Sequence, residues 1–456
     1  MRREPDHGAT VPAPDGFHEL LSVEEALDRL LAVIPVPLPG EPVTPLSALG
    51  RVVAEPALAV TSLPPWDNSA MDGYAIRAED TVRAREDAPI ELRVVGEVRA
   101  GVAADCSVAP GTAVRIATGA PIPPGADAVV PVEATTPLDG EWRPGARGRE
   151  AAGPLPAACL VHEAVPAGGS IRTAGSDLTR GQTIVASGRV VTPPAVGLLA
   201  GAGVDTLLVH RRPRVAVLAT GDEVRSPGEP LGPAGIPDAN RPALLAQVAA
   251  AGAEGIDLGV ATDRLDDVLA RLRRALELGA DAIVVSGGVS VGPFDVVRNA
   301  FAEIGRIDLW RVAVQPGKPF AFGTARRGAG EVALLFGLPG NPVSSIVTFE
   351  LFVRPALRRL AGHATLQRPL DRAILLDGST KGRSRRAYLR VGVERDAVGR
   401  AVRDGAGRVQ ARLAGGQGSH VLSTLAATEA LAIVPEAMDV VDPGTEVDLL
   451  WLDVIA

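Results

Sequence analysis

From Arg214 to about Gly362, short and strongly apolar runs alternate with amphipathic stretches of helical period, and this alternation is the strictest constraint on the fold. The runs are Val215-Ala216-Val217-Leu218-Ala219, Ile256 to Val260, Ala282 to Val285 and Val332 to Phe336. Between them lie a helix over about Arg241 to Ala251 and another over Asp266 to Leu278, with Val268, Leu269, Leu272 and Leu276 on one face. Continuous apolar runs suit strands buried on both faces, and helical crossovers join such strands into a mainly parallel sheet covered on both sides. A three-layer α/β domain over 206–365 is therefore expected. In such sheets ligands bind beyond the carboxyl ends of the strands, so the segments after Val217, Val285 and Phe336 are where a site is to be sought.

The remainder of the 456 residues is organised differently. A single core seldom serves more than about 250–300 residues, so several domains are expected. Ser22-Val23-Glu24-Glu25 has the form of a capping box, opening a helix whose apolar stripe is Ala26, Leu27, Leu30, Leu31 and Ile34, and Pro35 and Pro37 end it. From Val52 to about Val161, alternating runs such as Ile90-Glu91-Leu92-Arg93-Val94-Val95 are punctuated by Gly and Pro, which predicts an antiparallel β-rich module over 61–159. Its loose stretch from Pro144 to Pro156 has no period and is expected to be a surface excursion without catalytic meaning. A discontinuous linking domain (18–60 and 160–205) and a carboxy-terminal β domain of barrel or sandwich type (366–456) complete the expectation, with residues 1–17 as a flexible tail.

Composition excludes several functions. A net charge of −8 opposes general affinity for nucleic acid or anionic membrane, and 3% aromatics leaves little for base stacking. No apolar stretch approaches the ~20 residues of a membrane helix, and Met1 to Gly16 lacks the apolar segment of a secretory signal. Cys106 and Cys159 show no metal-site spacing or disulfide framework, as suits a reducing cytoplasm.

Three strand-end segments are unusual. Ala219-Thr220-Gly221-Asp222-Glu223 places adjacent carboxylates where a hydrated Mg²⁺ could meet substrate phosphates, although a turn with acids opening a helix would look the same. Ser286-Gly287-Gly288-Val289-Ser290-Val291-Gly292, followed by Pro293-Phe294-Asp295, could crowd backbone N–H groups around an oxyanion or simply turn tightly into a helix. It is neither a Walker loop nor a dinucleotide fingerprint. Leu338-Pro339-Gly340-Asn341-Pro342 enters a helix that Asn341 can cap. Gln315-Pro316-Gly317-Lys318-Pro319 holds one Lys on a stiff turn. In the β-rich module, Pro64 to Ala75 and Ala117 to Asp127 are proline-stiffened polar loops that a bland protein has little reason to hold so rigidly, although structural Asx-turns could account for some of their polar groups.

Taken together, these motifs resemble the molybdopterin molybdenumtransferase family, known as MoeA in bacteria and as the E-domain of gephyrin and its plant relatives. The similarity lies in Asp-Asn-Ser-Ala-Met-Asp-Gly-Tyr-Ala from Asp67, Thr-Gly-Ala-Pro from Thr118, Thr-Gly-Asp-Glu from Thr220 and Ser-Gly-Gly-Val-Ser-Val-Gly from Ser286. Pro-Gly-Lys-Pro from Pro316 and Leu-Pro-Gly-Asn-Pro-Val-Ser from Leu338 complete the set, in order across about Val23 to Leu431. The resemblance implies an enzyme that places molybdenum from molybdate on the dithiolene sulfurs of adenylylated molybdopterin and releases AMP with Mg²⁺ present. It implies catalytic roles for Asp67, Thr118, Glu223, Asp263 and Asp295, with Asp222, Glu223 and Asp295 on the Mg²⁺ side. Substrate contacts are implied for Asp177, Thr220, Ser286, Gly287, Gly288, Ser290, Lys318, Pro319, Ser344, Arg386, Ser419 and Ser423.

The crowding of Arg383, Arg385, Arg386 and Arg390 leaves open which arginine faces the pocket, and a lone His420 carries no acid–base assignment. The same resemblance implies an elongated cytoplasmic homodimer with a cleft shared between subunits, and transient contact with molybdopterin adenylyltransferase and molybdoenzyme apoproteins. Two departures stand out: Gln315 replaces a second basic residue before the Pro-Gly-Lys-Pro turn, and 140–156 is longer than in typical members. Competing readings are a tungstate-inserting homologue, the adenylyltransferase activity itself, and a non-catalytic scaffold.

Overall fold

The computed structural model of the chain describes residues 20–148, 154–288, 296–328 and 331–452. The tail over 1–17, Ser290 and Asp295 lie outside the described residues, as does part of the 144–156 stretch.

The central sheet has seven strands among the described residues, in the order Leu20–Leu21, Gly305–Val312, Pro319–Arg327, Glu331–Leu338, Ala282–Ser286, Arg214–Thr220 and Glu254–Ala261. The last four run parallel, as the apolar runs and intervening helices require. Pro319–Arg327 is antiparallel to both its neighbours, so the sheet is mixed and only its core is parallel. The expected helices appear as Asn240–Ala250 and Leu265–Glu277.

Alternation along the parallel strands makes the three layers. Val215, Val217, Ala282 and Val284 face one core with Leu30, Leu244, Val248, Phe320, Phe336 and Phe352. Ala216, Leu218, Ile283 and Val285 face the other with Val268, Leu272, Val297 and Phe301. Full burial of one such Phe or Leu stabilises the fold by roughly 1.5–3 kcal/mol. Helix Val23–Ala32 closes the first face, and its start is the capping box itself: Ser22 Oγ accepts from Glu25 N at 3.1 Å while Glu25 Oε2 accepts from Ser22 N at 2.8 Å.

Asp281, 3% exposed, binds the amino-terminal side of this sheet. Its carboxylate takes both guanidinium nitrogens of Arg211 at 2.6 and 2.7 Å, the backbone N–H of Arg214 at 2.8 Å and Arg327 at 3.1 Å. It thereby ties the entries of two parallel strands to the end of Pro319–Arg327.

The β-rich module forms a six-stranded sheet ordered Ala128–Pro131, Gly73–Ile76, Thr112–Ile116, Ile90–Val98, Ala158–Val161 and Thr135–Leu138. Most pairs are antiparallel, but Ile90–Val98 and Thr112–Ile116 run parallel, joined by a long excursion rather than a hairpin turn. The 144–156 stretch is partly paired, through a bridge of Pro144 to Leu138 and an ion pair of Arg147 with Glu86. Segments before and after the module pair with each other, Gly40–Val43 with Leu207–His210 and Ala57–Leu58 with Thr183–Val185. The carboxy-terminal region closes into a β-barrel, because Arg386–Val393 pairs with both Val409–Leu413 and Ala430–Val434 and the circuit continues through Leu370–Leu375 and Thr445–Trp451. Among the described residues no helix is long and apolar enough to cross a membrane, and both cysteines are free.

Replacing Asp281 by Ala leaves Arg211 and Arg327 without their shared carboxylate. Loss of about 3–5 kcal/mol is expected, read as a lower denaturant midpoint at unchanged slope. A second expectation concerns His363, whose pKa is pushed down to about 4 from 6.5 by burial and by Arg358 and Arg354. The unfolded chain takes up this proton between pH 6.5 and 4 and the folded chain does not, so stability falls across that window. His363→Gln should flatten this part of the stability-against-pH curve.

Candidate functional site

Four strand ends converge at the edge opposite Asp281. The segments after Thr220, Ala261, Ser286 and Leu338 surround a cleft of about 1000 Å³. Its wall includes Thr220, Glu223, Asp238, Asn240, Asp263, Ser286, Gly287, Gly288, Pro319, Gly340, Asn341 and His420. This is the position expected for a ligand in an open α/β sheet.

The floor depends on missing side chains. Gly287 has φ +98°, and a Cβ there would come within 2.7 Å of Thr220 O and 2.9 Å of Thr220 Oγ1. Gly288, at φ +63°, would meet Val297 Cγ2 at 2.6 Å. Only glycine fits both, and the backbone thereby comes to lie at the cleft surface. Thr220 is 6% exposed and its Oγ1 has no hydrogen-bond partner among the described residues. A buried hydroxyl left unmatched beside a glycine turn suits a polar ligand rather than an apolar one.

Acidic groups form one wall. Asp222 N donates to Asp263 Oδ2 at 3.4 Å and Asp263 N donates to Asp222 Oδ1 at 3.1 Å, so the two loops are cross-linked carboxylate to backbone. The Asp263 carboxyl is held above its ordinary range by burial and by the negative charges of Asp222 and Glu223. Among the described residues, those lining the cleft include no Lys or Arg. Lys318 is exposed on the turn next to Pro319, and its carbonyl accepts from Val312 N at 3.1 Å. Among the described residues no group of three or more His, Cys, Asp or Glu side chains is arranged to hold a metal by itself.

The barrel supplies the facing wall. Asn341 stands at the N-cap of helix Pro342–Thr348, as expected, but its side chain makes no capping bond. Its amide reaches across to Ser419 Oγ at 3.1 Å, while Val343 N donates to Ser419 O at 3.2 Å. The loop bearing Ser419 is braced from inside the barrel by Arg390, which is fully buried. Its Nη2 donates to Gly416 O at 2.7 Å and Gly418 O at 3.1 Å, and its Nε to Thr424 Oγ1 at 2.8 Å. Burial lowers the Arg390 pKa.

The site residues expected from sequence thus divide. Thr220, Ser286, Gly287, Gly288, Glu223, Asp263 and Pro319 line one cleft. Asp222 is exposed beside it, Ser344 is buried in the first turn of its helix, and Ser419 touches Asn341. Ser423 is exposed on the short helix Leu422–Ala426 and does not line the cleft. Arg386 is engaged elsewhere, with Glu24 and with Glu436 at 3.2 Å, joining the barrel to helix Val23–Ala32. Gln315 accepts from Gly382 N at 2.8 Å, and so holds the Pro316-Gly317-Lys318 turn to the barrel.

Asp67, Thr118 and Asp177 belong to loops of another region and do not line this cleft in the same chain. Asp67 Oδ1 accepts from Ala174 N at 2.7 Å, and Asp177 N donates to Leu63 O at 3.0 Å. Asp72 Oδ1 accepts both Thr118 N at 2.6 Å and Thr118 Oγ1 at 2.8 Å, which holds its carboxyl below the usual range. Ser290 and Asp295 lie outside the described residues.

Comparison with known proteins bears on the whole chain. Residues 21–203 match the model of the MoeA N-terminal region (domain I and II), 216–359 that of a probable molybdopterin binding domain and 372–452 that of the MoeA C-terminal region (domain IV). Molybdopterin molybdenumtransferase 2 of Mycobacterium tuberculosis is 38% identical over 410 residues, covering 88% of this chain and 92% of that one. The chain belongs to the MoeA family of molybdopterin molybdenumtransferases. The Haemophilus influenzae molybdopterin molybdenumtransferase is 31% identical over 430 residues, covering 94% of this chain and 98% of that one. The crystal structure of a molybdopterin biosynthesis MoeA protein from Pyrococcus horikoshii aligns with a TM-score of 0.72 at 29% identity, over 95% of this chain and all of that one.

Within this MoeA chain the contacts of Asn240, Asn341, Asp72 and Arg390 are not legible in the sequence, where Asn341 reads as a helix cap, Asp72 as one acid of the run from Asp67 to Ala75 and Arg390 as one of four crowded arginines. No local pattern distinguishes them, because each acts on a partner distant in sequence.

Asp263→Asn removes one of the crowded charges. The variant should melt slightly higher than wild type near neutral pH, a small effect because Asp263 is exposed and solvent screens the repulsion. Since the penalty exists only while Asp263 is ionised, the gap should close as pH falls through the carboxylate range. Paired thermal melts at pH 7.5 and 4 check both.

Proposed function

We propose that this chain inserts molybdenum from molybdate into adenylylated molybdopterin, with Mg²⁺-dependent release of AMP, and that it works as a homodimer in the cytoplasm. The carrying observation is the pairing of a glycine-floored pocket for an anion with an acidic wall that, among the described residues, contains no lining Lys or Arg. A pyrophosphate placed there would face Glu223 and Asp263, so a cation between them is required by charge.

Residues of the acidic wall fit Mg²⁺. That ion keeps several waters and takes one or two carboxylates plus substrate phosphates, so a three-carboxylate cage is unnecessary. One or two of Asp222, Glu223 and Asp263 would hold it, and it would supply charge neutralisation at the phosphates. The Gly287 and Gly288 backbone would cradle a phosphate. Lys318, on its proline-flanked turn, would draw the tetrahedral molybdate dianion, and Ser419 would meet it from the barrel side. In the proposed homodimer a second subunit would bring Asp67, Thr118 and Asp177 to this cleft.

Purified protein given adenylylated molybdopterin, Mg²⁺ and molybdate should release AMP, and omission of either ion should stop it. AMP consumption from ATP would indicate the adenylyltransferase reaction instead, and faster release with tungstate would reassign the oxyanion. Glu223→Ala should reduce AMP release by at least about 100-fold with a melting temperature no lower than that of wild type. Full activity in that variant would remove Glu223 from the chemistry.

A further inference from the structure

Asn240 opens helix Asn240–Ala250 where two strand-end loops meet. Its Nδ2 donates to Gly340 O at 2.7 Å and to Ser286 Oγ at 2.7 Å. A backbone carbonyl can only accept, so the Gly340 contact identifies which end of the amide carries the protons. Both protons are then used, one on the loop after Glu331–Leu338 and one on the last residue of Ala282–Ser286. The Asn240 Oδ1 atom is buried and has no partner among the described residues. An amide that leaves its own acceptor unmatched is poorly explained by stability alone.

The consequence falls on Ser286, which is 2% exposed and lines the cleft beside Gly287. Its oxygen accepts a short bond from Asn240. Among the described residues its own proton has two long partners, Pro339 O at 3.5 Å and Ser345 Oγ at 3.4 Å. Both are at the limit of a hydrogen bond, so an anion over the glycine turn competes easily for this proton. The start of the helix is itself anchored: Asp238, 5% exposed, accepts Arg241 N at 3.0 Å and Arg241 Nε at 2.8 Å, and Arg241 also reaches Asp257.

We propose that Asn240 is a positioning residue, which occupies the lone pair of Ser286, ties that residue to the Gly340 loop and presents the Ser286 hydroxyl proton to an anionic group of the substrate. This rests on the reading above that a phosphate lies over Gly287 and Gly288. Asn240 touches no reacting atom and acts through Ser286.

The test compares the intact wild-type chain with Asn240→Ala, Asn240→Asp, Ser286→Ala and the Asn240→Ala/Ser286→Ala double variant. Molybdate-dependent AMP release gives KM and kcat for adenylylated molybdopterin, calorimetric titration gives Kd for AMP as a separate probe, and thermal melts verify folding. Each Ala variant should raise KM and Kd about tenfold with kcat changed less than threefold, and the double variant should be no worse than either single one. Asn240→Asp should be at least as damaging as Asn240→Ala, because a carboxylate would take the Ser286 proton for itself. Losses that multiply in the double variant, or wild-type KM in Asn240→Asp, overturn the proposal. A wild-type chain that binds AMP but releases none from adenylylated molybdopterin defeats the proposed reaction alone, and the Kd values still decide the role of Asn240. A chain that does neither overturns both.

Discussion

The architecture depends on burying three parallel strands, Arg214–Thr220, Ala282–Ser286 and Glu331–Leu338, on both faces, with Glu254–Ala261 as the more exposed edge. Buried strands of this kind carry their polar groups mainly at their ends, so those groups must be resolved at two edges. At one edge a single carboxylate, Asp281, gathers Arg211, Arg327 and the Arg214 N–H. At the other, the chain ends its strands in glycine turns and short polar loops, and the groups left there form the cleft. One edge is satisfied internally; at the other the buried Thr220 hydroxyl has no partner among the described residues.

The barrel is part of this arrangement rather than an appendage. Val314–Gln315 pairs with the start of Arg386–Val393, and the Gln315 side chain accepts from Gly382, so the Lys318 turn is held between two domains. Arg386 adds a bridge to the first helix through Glu24. Across the cleft, Ser419 is fastened to the α/β domain by Asn341 and Val343, while Arg390 shapes its loop from within. Among the described residues Arg390 binds carbonyl and hydroxyl oxygens and no carboxylate, an arrangement that favours a defined loop shape over raw stability.

Apolar period carried much of this in the sequence. The parallel core, its helices and the Ser22 capping box follow from residues a few positions apart, and so appear almost where expected. Two departures share a cause. The antiparallel Pro319–Arg327 strand and the parallel pair in the β-rich module are decided by which strand lies alongside, which periodicity within one strand does not encode.

The candidate site divides in the same way. Sequence alone determined the glycine turns, the adjacent acids of Asp222 and Glu223 and the proline-bound Lys318, because each is a local conformational or chemical necessity legible in neighbouring residues. Only the tertiary structure decided that Asp263 joins Asp222, that Asn240 clamps Ser286 to Gly340, that Arg386 pairs away from the cleft and that Arg390 supports Ser419. Hydrogen bonds and charge pairs are satisfied by proximity in space, and a side chain's partner depends on how the layers pack rather than on its place in the chain.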